Sequence, residues 1–244
     1  MSRRVDMLSG NIGSALIKLS IPLVASNIMN IAYNLIDTIW VGSLGAGAVT
    51  SVATAGMWLF LSQGMAMITQ TGAQITVGQK IGEGKLDEAR AISRAAIVMM
   101  SITMLFYLIL VLVARREMVG VFGVSDENIN QAACDYLLIT GISVLFHGFN
   151  YIISSVYTAI GDSRTPFTYN SIGLLINVIL DPILIFGWIG APKLGVYGAG
   201  VASTIAVAIV SVIFLVDIVK DGYIFGRIED PNVKVFNWYE IRKM

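Results

Sequence analysis

Six stretches of this chain are each long and apolar enough to cross a bilayer, whose hydrocarbon core takes about 20 helical residues. They run at roughly 15–41, 49–76, 91–114, 132–160, 167–190 and 196–219. Lipid offers no water to backbone N–H and C=O groups, so each stretch is predicted to be a helix that bonds to itself. The fold class that follows is an all-α membrane protein, a bundle of six transmembrane helices over residues 15–219. A polar lead (1–14) precedes it, predicted to lie on the membrane surface, and a polar tail (220–244) follows. With 56% hydrophobic and 13% charged residues, the chain has too few charges to keep so much apolar surface in water. A net charge of zero argues against a nucleic-acid-binding surface. A lone Cys134 excludes an internal disulfide. The first apolar stretch is too long for a cleavable signal peptide and lacks a small-residue cleavage site.

Basic residues set the expected orientation. With the N-terminus in the cytoplasm, thirteen of the sixteen Lys and Arg residues fall on that side, leaving Arg115, Arg116 and Lys193 outside. Both termini are therefore predicted to be cytoplasmic.

Polar residues interrupt the spans at helical spacing. In the first span Ser20, Asn27, Asn30, Asn34 and Asp37 lie on one stripe roughly 100° wide, at about 100° per residue. An acid at such a place costs roughly 2.5–3.5 kcal/mol to insert, so it faces a partner or water. Gln63, Gln70 and Gln74 share a face of the second span. In the fifth span Asn170, Asn177 and Asp181 form a narrower stripe, about 40° wide at the same pitch. The third span is apolar nearly all round and is read as lipid-facing, while span four carries Asp135, His147 and Asn150. For His147 a hydrogen-bonded helix contact is favoured over a proton relay. By depth, Asp37, Asp181 and Thr204 all sit in the outer half of the membrane, roughly 6 to 14 Å in at 1.5 Å per residue. Asn177 lies one turn deeper than Asp181, so two acids, an amide and a hydroxyl can meet at one level.

Punctuation between spans is readable too. Pro22 removes a backbone bond to Lys18 and predicts a bend, either a static kink or a working hinge. Gly161 ends one helix, Asp162 can cap the next, and Pro166 suits its first turn. Gly78–Arg94 superficially resembles a phosphate-binding loop, but its spacing is wrong; it is read as a solvated connector in which Leu86–Arg94, with Asp and Glu early, is an amphipathic cytoplasmic helix start. Arg115–Asn130 is read as the longest external loop. Small residues at every fourth position (Gly195, Ala199, Ser203; Gly200, Thr204, Ala208) predict close helix packing.

Asn34-Leu-Ile-Asp37, Gly161-Asp-Ser-Arg-Thr-Pro166, Asn177-Val-Ile-Leu-Asp-Pro182 and Gly195-Val-Tyr-Gly-Ala-Gly-Val-Ala-Ser-Thr204 together resemble the MATE (multidrug and toxic compound extrusion) transporters. The likeness runs from about residue 14 to 220 and matches the N-terminal six-helix lobe of that twelve-helix family. It implies an antiporter, not an enzyme, at home in the plasma membrane. Such a protein exports small cationic or amphiphilic compounds against Na+ or H+ and carries no other cofactor. It also implies that Asp37, Asn177, Asp181 and Thr204 bind the cation, Na+ if a metal is used, and that Pro22 is the bending proline. Asn27, Asn30, Tyr33, Asn34, Gln63, Gln70, Asn150 and Asn170 are the expected cavity lining. The family's second lobe is missing, so the resemblance implies either a fragment or a lobe that pairs with a second copy or a separate chain. In that reading the tail holds an inter-lobe linker and the opening of a seventh helix (Val235, Phe236, Trp238, Ile241). Alternatives are a lipid-linked oligosaccharide flippase, a non-transporting membrane subunit, and an intramembrane aspartyl protease. The last is disfavoured because Asp162 lies at a turn far from Asp37. A flippase cavity would hold Arg or Lys for phosphates, and no span interior has one.

Overall fold

The computed structural model describes residues 12–220, 222–231, 233 and 235. Among these, six long helices and no strand are found: α1 (Ile12–Gly42), α2 (Ala46–Gly82), α3 (Leu86–Gly120), α4 (Glu127–Ala159), α5 (Arg164–Phe186) and α6 (Val196–Lys220). All six are long and apolar enough to span a membrane. The lead before Ile12 and the start of a seventh helix lie outside the described residues, although Val235 is a bend.

Helices α2 to α4 outrun the sequence-based spans. The 37 residues of α2 make a rod about 55 Å long, against an apolar core of about 30 Å. Two expected loops therefore shrink. Gly78–Arg94 is helix on either side of a short turn at Glu83–Lys85, where Gly84 takes the left-handed φ of 73°. The supposed loop at Arg115–Asn130 is helical except for residues 121–126. There Asp126 caps α4, its Oδ1 accepting from the Asn128 N–H at 2.8 Å. At its C-terminal end α5 stops earlier than expected, because Gly187 adopts φ 78° and terminates it. The cap expected at Asp162 is present. Its Oδ1 accepts from the Thr165 N–H at 3.0 Å and its Oδ2 from the Thr165 hydroxyl at 2.7 Å.

Helix α4 is the axis of the bundle and packs on α2, α3 and α6, while α1 leans mainly on α5. Half of the apolar window of α4 is buried, against 6% of that of α1. The third span is not simply lipid-facing. Met100, Met104, Tyr107 and Val111 form a buried stripe at spacings of four, three and four, while Ile102, Phe106, Ile109 and Val113 face outward. That stripe fits α4 because Gly141 and Gly148 sit opposite it; a Cβ on Gly141 would lie 2.9 Å from Val111 Cγ1. The helices α5 and α6 also approach closely, at Gly198, where a Cβ would lie 2.5 Å from the Leu184 carbonyl oxygen. Just beside it, the Leu194 and Gly195 N–H groups donate to the last-turn carbonyls of Leu184 and Ile185.

One end of the bundle is closed by a strap of residues 222–230, held by the start of α3. Arg90, which belongs to the stretch read as solvated, is only 8% exposed. It donates to the carbonyls of Tyr223 (2.7 Å) and Arg227 (2.6 Å), and to Asp87 (2.9 Å). Arg94 donates to Gly226 O at 2.7 Å. Asp87 accepts the N–H groups of Glu229 and Asp230. Ile224 is fully buried beneath the strap. Lys80 is buried as well, its ammonium 2.7 Å from Glu88.

Candidate cation site and cavity

Polar side chains collect where α1, α2, α4, α5 and α6 face one another. Two adjoining cavities open there, of about 360 and 160 Å³. The larger is lined by Asn30, Tyr33 and Asn34 from α1, Gln63 from α2, His147, Asn150 and Tyr151 from α4, Asn170 and Asn177 from α5, and Ser203 from α6. The smaller shares Tyr33, Asn34, Gln63, His147, Tyr151 and Ser203, and adds Asp37, Tyr136, Thr140 and Ser143. No Lys or Arg lines either one.

The wall between the cavities and α5 is a hydrogen-bonded cluster. Asn177 lies one helical turn before Asp181, so both side chains point the same way. The backbone N–H of Ser203 can only donate, which fixes the Asn177 atom 3.0 Å from it as the carbonyl oxygen. In that orientation the Asn177 amide donates to Asp181 Oδ2 at 3.0 Å and to the Tyr33 hydroxyl at 3.3 Å. The Tyr33 and Ser203 hydroxyls are 3.0 Å apart. Asp181 is fully buried and Asn177 nearly so. Asp37 enters from α1, and its Oδ1 is buried without a hydrogen-bond partner. An orphaned carboxylate oxygen beside a second buried acid is a standing deficit of positive charge.

Of the residues expected at a cation site, Asn177 and Asp181 meet directly and Asp37 lines the adjoining cavity. Thr204 is turned otherwise: its hydroxyl donates to Gly200 O (2.7 Å) and Ile139 O (3.4 Å), bracing α6 against α4. The α6 side chain in the cluster is Ser203. One residue along a helix is a turn of about 100°, so neighbours cannot share a site as equals. Among the expected lining residues, Asn30, Tyr33, Asn34, Gln63, Asn150 and Asn170 are in place. Asn27 and Gln70 line neither cavity. Asn27 is exposed on a part of α1 that the other helices do not enclose. Asn150 is tied to α6, donating to Val207 O at 3.1 Å and accepting from Ser211 at 2.9 Å. His147, Tyr151 and Ser203 went unforeseen as lining. The recurrence of Ser203 with Ala199 and Gly195 was the available signal for that residue. Among the described residues no group of three His, Cys, Asp or Glu could hold a transition metal. Two carboxylates with neutral amide and hydroxyl oxygens instead suit a hard cation.

The profile of the MatE family matches residues 22–183. The chain belongs to the MatE family. Probable multidrug resistance protein NorM of Thermotoga maritima is 25% identical to this MatE chain over 195 residues, which are 78% of this chain and 41% of the relative. Probable multidrug resistance protein YoeA of Bacillus subtilis is 28% identical over 202 residues, 80% and 43% of the two. In fold, the MatE chain superposes on a multidrug resistance MATE transporter of the MOP superfamily, solved in an outward-facing conformation. The TM-score is 0.89 at 20% identity, covering all of this chain and 52% of that one. The chain thus spans about half the length of the proteins it matches and has the fold of one MATE lobe.

Proposed function

We propose that this chain is the N-terminal lobe of a cation-coupled antiporter that exports small organic molecules. Asp37, Asn177 and Asp181 bind the coupling ion, Na+ or H+, together with a hydroxyl from α6. The observation that carries this reading is the orphaned Asp37 oxygen near fully buried Asp181, inside a membrane-spanning bundle. Two such acids in a low-dielectric site do not both stay ionised without a cation. Sodium satisfies the doubly charged form and a proton neutralises one acid, so the two ions compete for one cluster. Thr204 has lone pairs left after donating to Gly200, and Ser203 is already in the cluster; either can complete the oxygen set. The polar cavity, free of Lys and Arg, suits cationic or neutral amphiphiles better than phosphates.

The working form needs a second six-helix lobe, as a further segment, a second copy or a separate chain, because the cavity opens beside exposed Asn30, Asn34 and Gln63. The protein resides in the plasma membrane with both ends of the bundle's chain in the cytoplasm, and catalyses no reaction. Pro22 is the place where α1 bends during transport; α1 is continuous through it, with the Ser26 hydroxyl bonded to the Pro22 carbonyl at 2.9 Å. The decisive test is ion-driven efflux in proteoliposomes carrying the complete two-lobed assembly. Asp37→Asn combined with Asp181→Asn is expected to abolish dependence on the ion gradient while leaving a folded, monodisperse protein. Efflux with its gradient dependence intact would reduce the acids to structural elements.

A further inference from the structure

His147 is the only histidine in the sequence, and the cluster described above leaves it idle. Its ring lines both cavities. Nδ1 lies 3.1 Å from the carbonyl oxygen of Ser143, one turn earlier on α4. A carbonyl only accepts, so Nδ1 carries the hydrogen, and whenever the ring is neutral Nε2 is the bare acceptor. Nε2 has no protein partner and is not sealed by its neighbours, so it is open to the cavity. Tyr151 sits against the ring at 5.9 Å between centroids.

The groups that face this nitrogen have an informative imbalance. From α1 come Tyr33 and Asp37, from α2 Gln63, from α3 only Met104, from α4 Tyr136 and Tyr151, and from α6 Ser203. On α5, Asp181 stands behind Asn177. The tyrosines stay neutral at ordinary pH, and no cation is present in the lining. Asp37, whose Oδ1 is sealed without a partner, and the imidazole acceptor therefore line the same small cavity. A bound cation bearing N–H groups answers both, since its charge compensates Asp37 and its N–H meets Nε2.

We propose that His147 selects among organic cations in this cavity by accepting a hydrogen bond from a ligand N–H, and that protonation of the same nitrogen expels the ligand. A proton on Nε2 removes the acceptor and places a positive charge where the ligand's charge would sit. This deepens the efflux reading and rests on it.

Two probes separate the acceptor from the charge: ethidium, which carries amino N–H groups, and tetraphenylphosphonium, a cation with none. The complete two-lobed assembly in lipid nanodiscs is titrated with each at pH 8 and pH 5.5. For the wild type, the ratio of ethidium Kd to tetraphenylphosphonium Kd is expected to rise severalfold at the lower pH, toward a limit of about tenfold, the worth of one hydrogen bond to a charged donor. Protonation of an acid acts on both probes through charge and cancels in that ratio. His147→Gln keeps an acceptor that cannot be protonated, so its ratio stays flat with pH. His147→Phe weakens ethidium about tenfold at pH 8 by losing that bond, and its unchanged affinity for tetraphenylphosphonium certifies the fold. With ¹⁵N-histidine in the assembly, the Nε2 resonance that His147→Gln removes moves on ethidium addition and on acidification. Equal losses for both cations in the Phe variant, a Gln ratio that still climbs at low pH, or an unmoved Nε2 resonance would each overturn the role of His147. A wild-type assembly that binds neither cation removes the cation reading itself, and this proposal with it.

Discussion

Arg90→Ala is predicted to release the strap without unfolding the bundle. Arg90 holds two strap carbonyls at 2.7 and 2.6 Å and a third, Gly222 O, at 3.3 Å. Hydrogen bonds from a charged donor contribute about 1.5–3 kcal/mol each. Counting the two short bonds at the lower figure, because water reaches freed carbonyls at the bundle end, gives about 3 kcal/mol. At 1.4 kcal/mol per decade that is roughly a hundredfold rise in the open population of the strap. Burial of Ile224 and the bonds of Asp87 to Glu229 and Asp230 remain, so the strap loosens instead of detaching. Arg90→Lys keeps the charge but not the fork, and reaches one carbonyl at most, so it is expected to fall between. Hydrogen–deuterium exchange read on peptides covering 222–230, with a buried α4 peptide as reference, measures the effect. Unchanged strap exchange, or an equal rise in the α4 peptide, would refute the reasoning.

Other perturbations have equally definite outcomes. Gly198→Ala places a Cβ 2.5 Å from a backbone oxygen that cannot rotate away; a loss of about 1–3 kcal/mol is expected from such overpacking, seen as a lower thermal midpoint in detergent. Gly56→Ala, where a Cβ would meet nothing within 4 Å, serves as the neutral control. Tyr33→Phe removes the hydroxyl shared with Ser203 and Asn177 and is expected to weaken ion binding about fivefold, at about 1 kcal/mol for a buried hydrogen bond, while Thr204→Val mainly lowers stability by freeing the Gly200 carbonyl. Isothermal titration with Na+ separates the two. Cysteines at exposed Ser43 and Arg164, in a Cys134→Ser background, should be labelled from opposite sides of the membrane; labelling from one side only would contradict the alternating helix directions.

Several features were legible in the residues alone because each has a short-range cause. Twenty apolar residues require a helix in lipid, and Gly161 with Asp162 marks a helix break wherever it falls. Stripes at 3.6-residue spacing identified the inward faces of α1 and α5. Spacing gives the azimuth of a stripe, however, and not the depth at which neighbours close around it. Asn27 belongs to the same stripe as Asn30 and Asn34 and still lies outside the cavity for that reason. Helix α4 hid its functional face because three neighbours bury it, so its polar residues follow no single periodicity and His147 read as one more packed ring. Arg90 was misplaced for a related reason. A basic residue in a polar stretch looks solvated until a distant segment of coil, itself without periodic pattern, folds over it.

The distribution of contacts divides the site into two parts. Asn177, Asp181 and Ser203 stand on α5 and α6, which interlock at Gly198 and are braced through α4. Tyr33 and Asp37 stand on α1, the least enclosed of the helices. Pins that join α1 to the rest include Ser163 to the Leu19 carbonyl, Ser171 to Met29 Sδ, Tyr33 to Ser203, and Trp40 edge-on to Phe186. Pro22 falls between the first pin and the second. A bend there would keep the Leu19 end fixed while parting Met29, Tyr33 and Trp40 from their partners, and it would carry Asp37 away from Asp181 in the same movement. The two acids sit on opposite sides of the seam between α1 and the rest of the bundle, so a cation shared between them, as proposed, would bear directly on the position of α1.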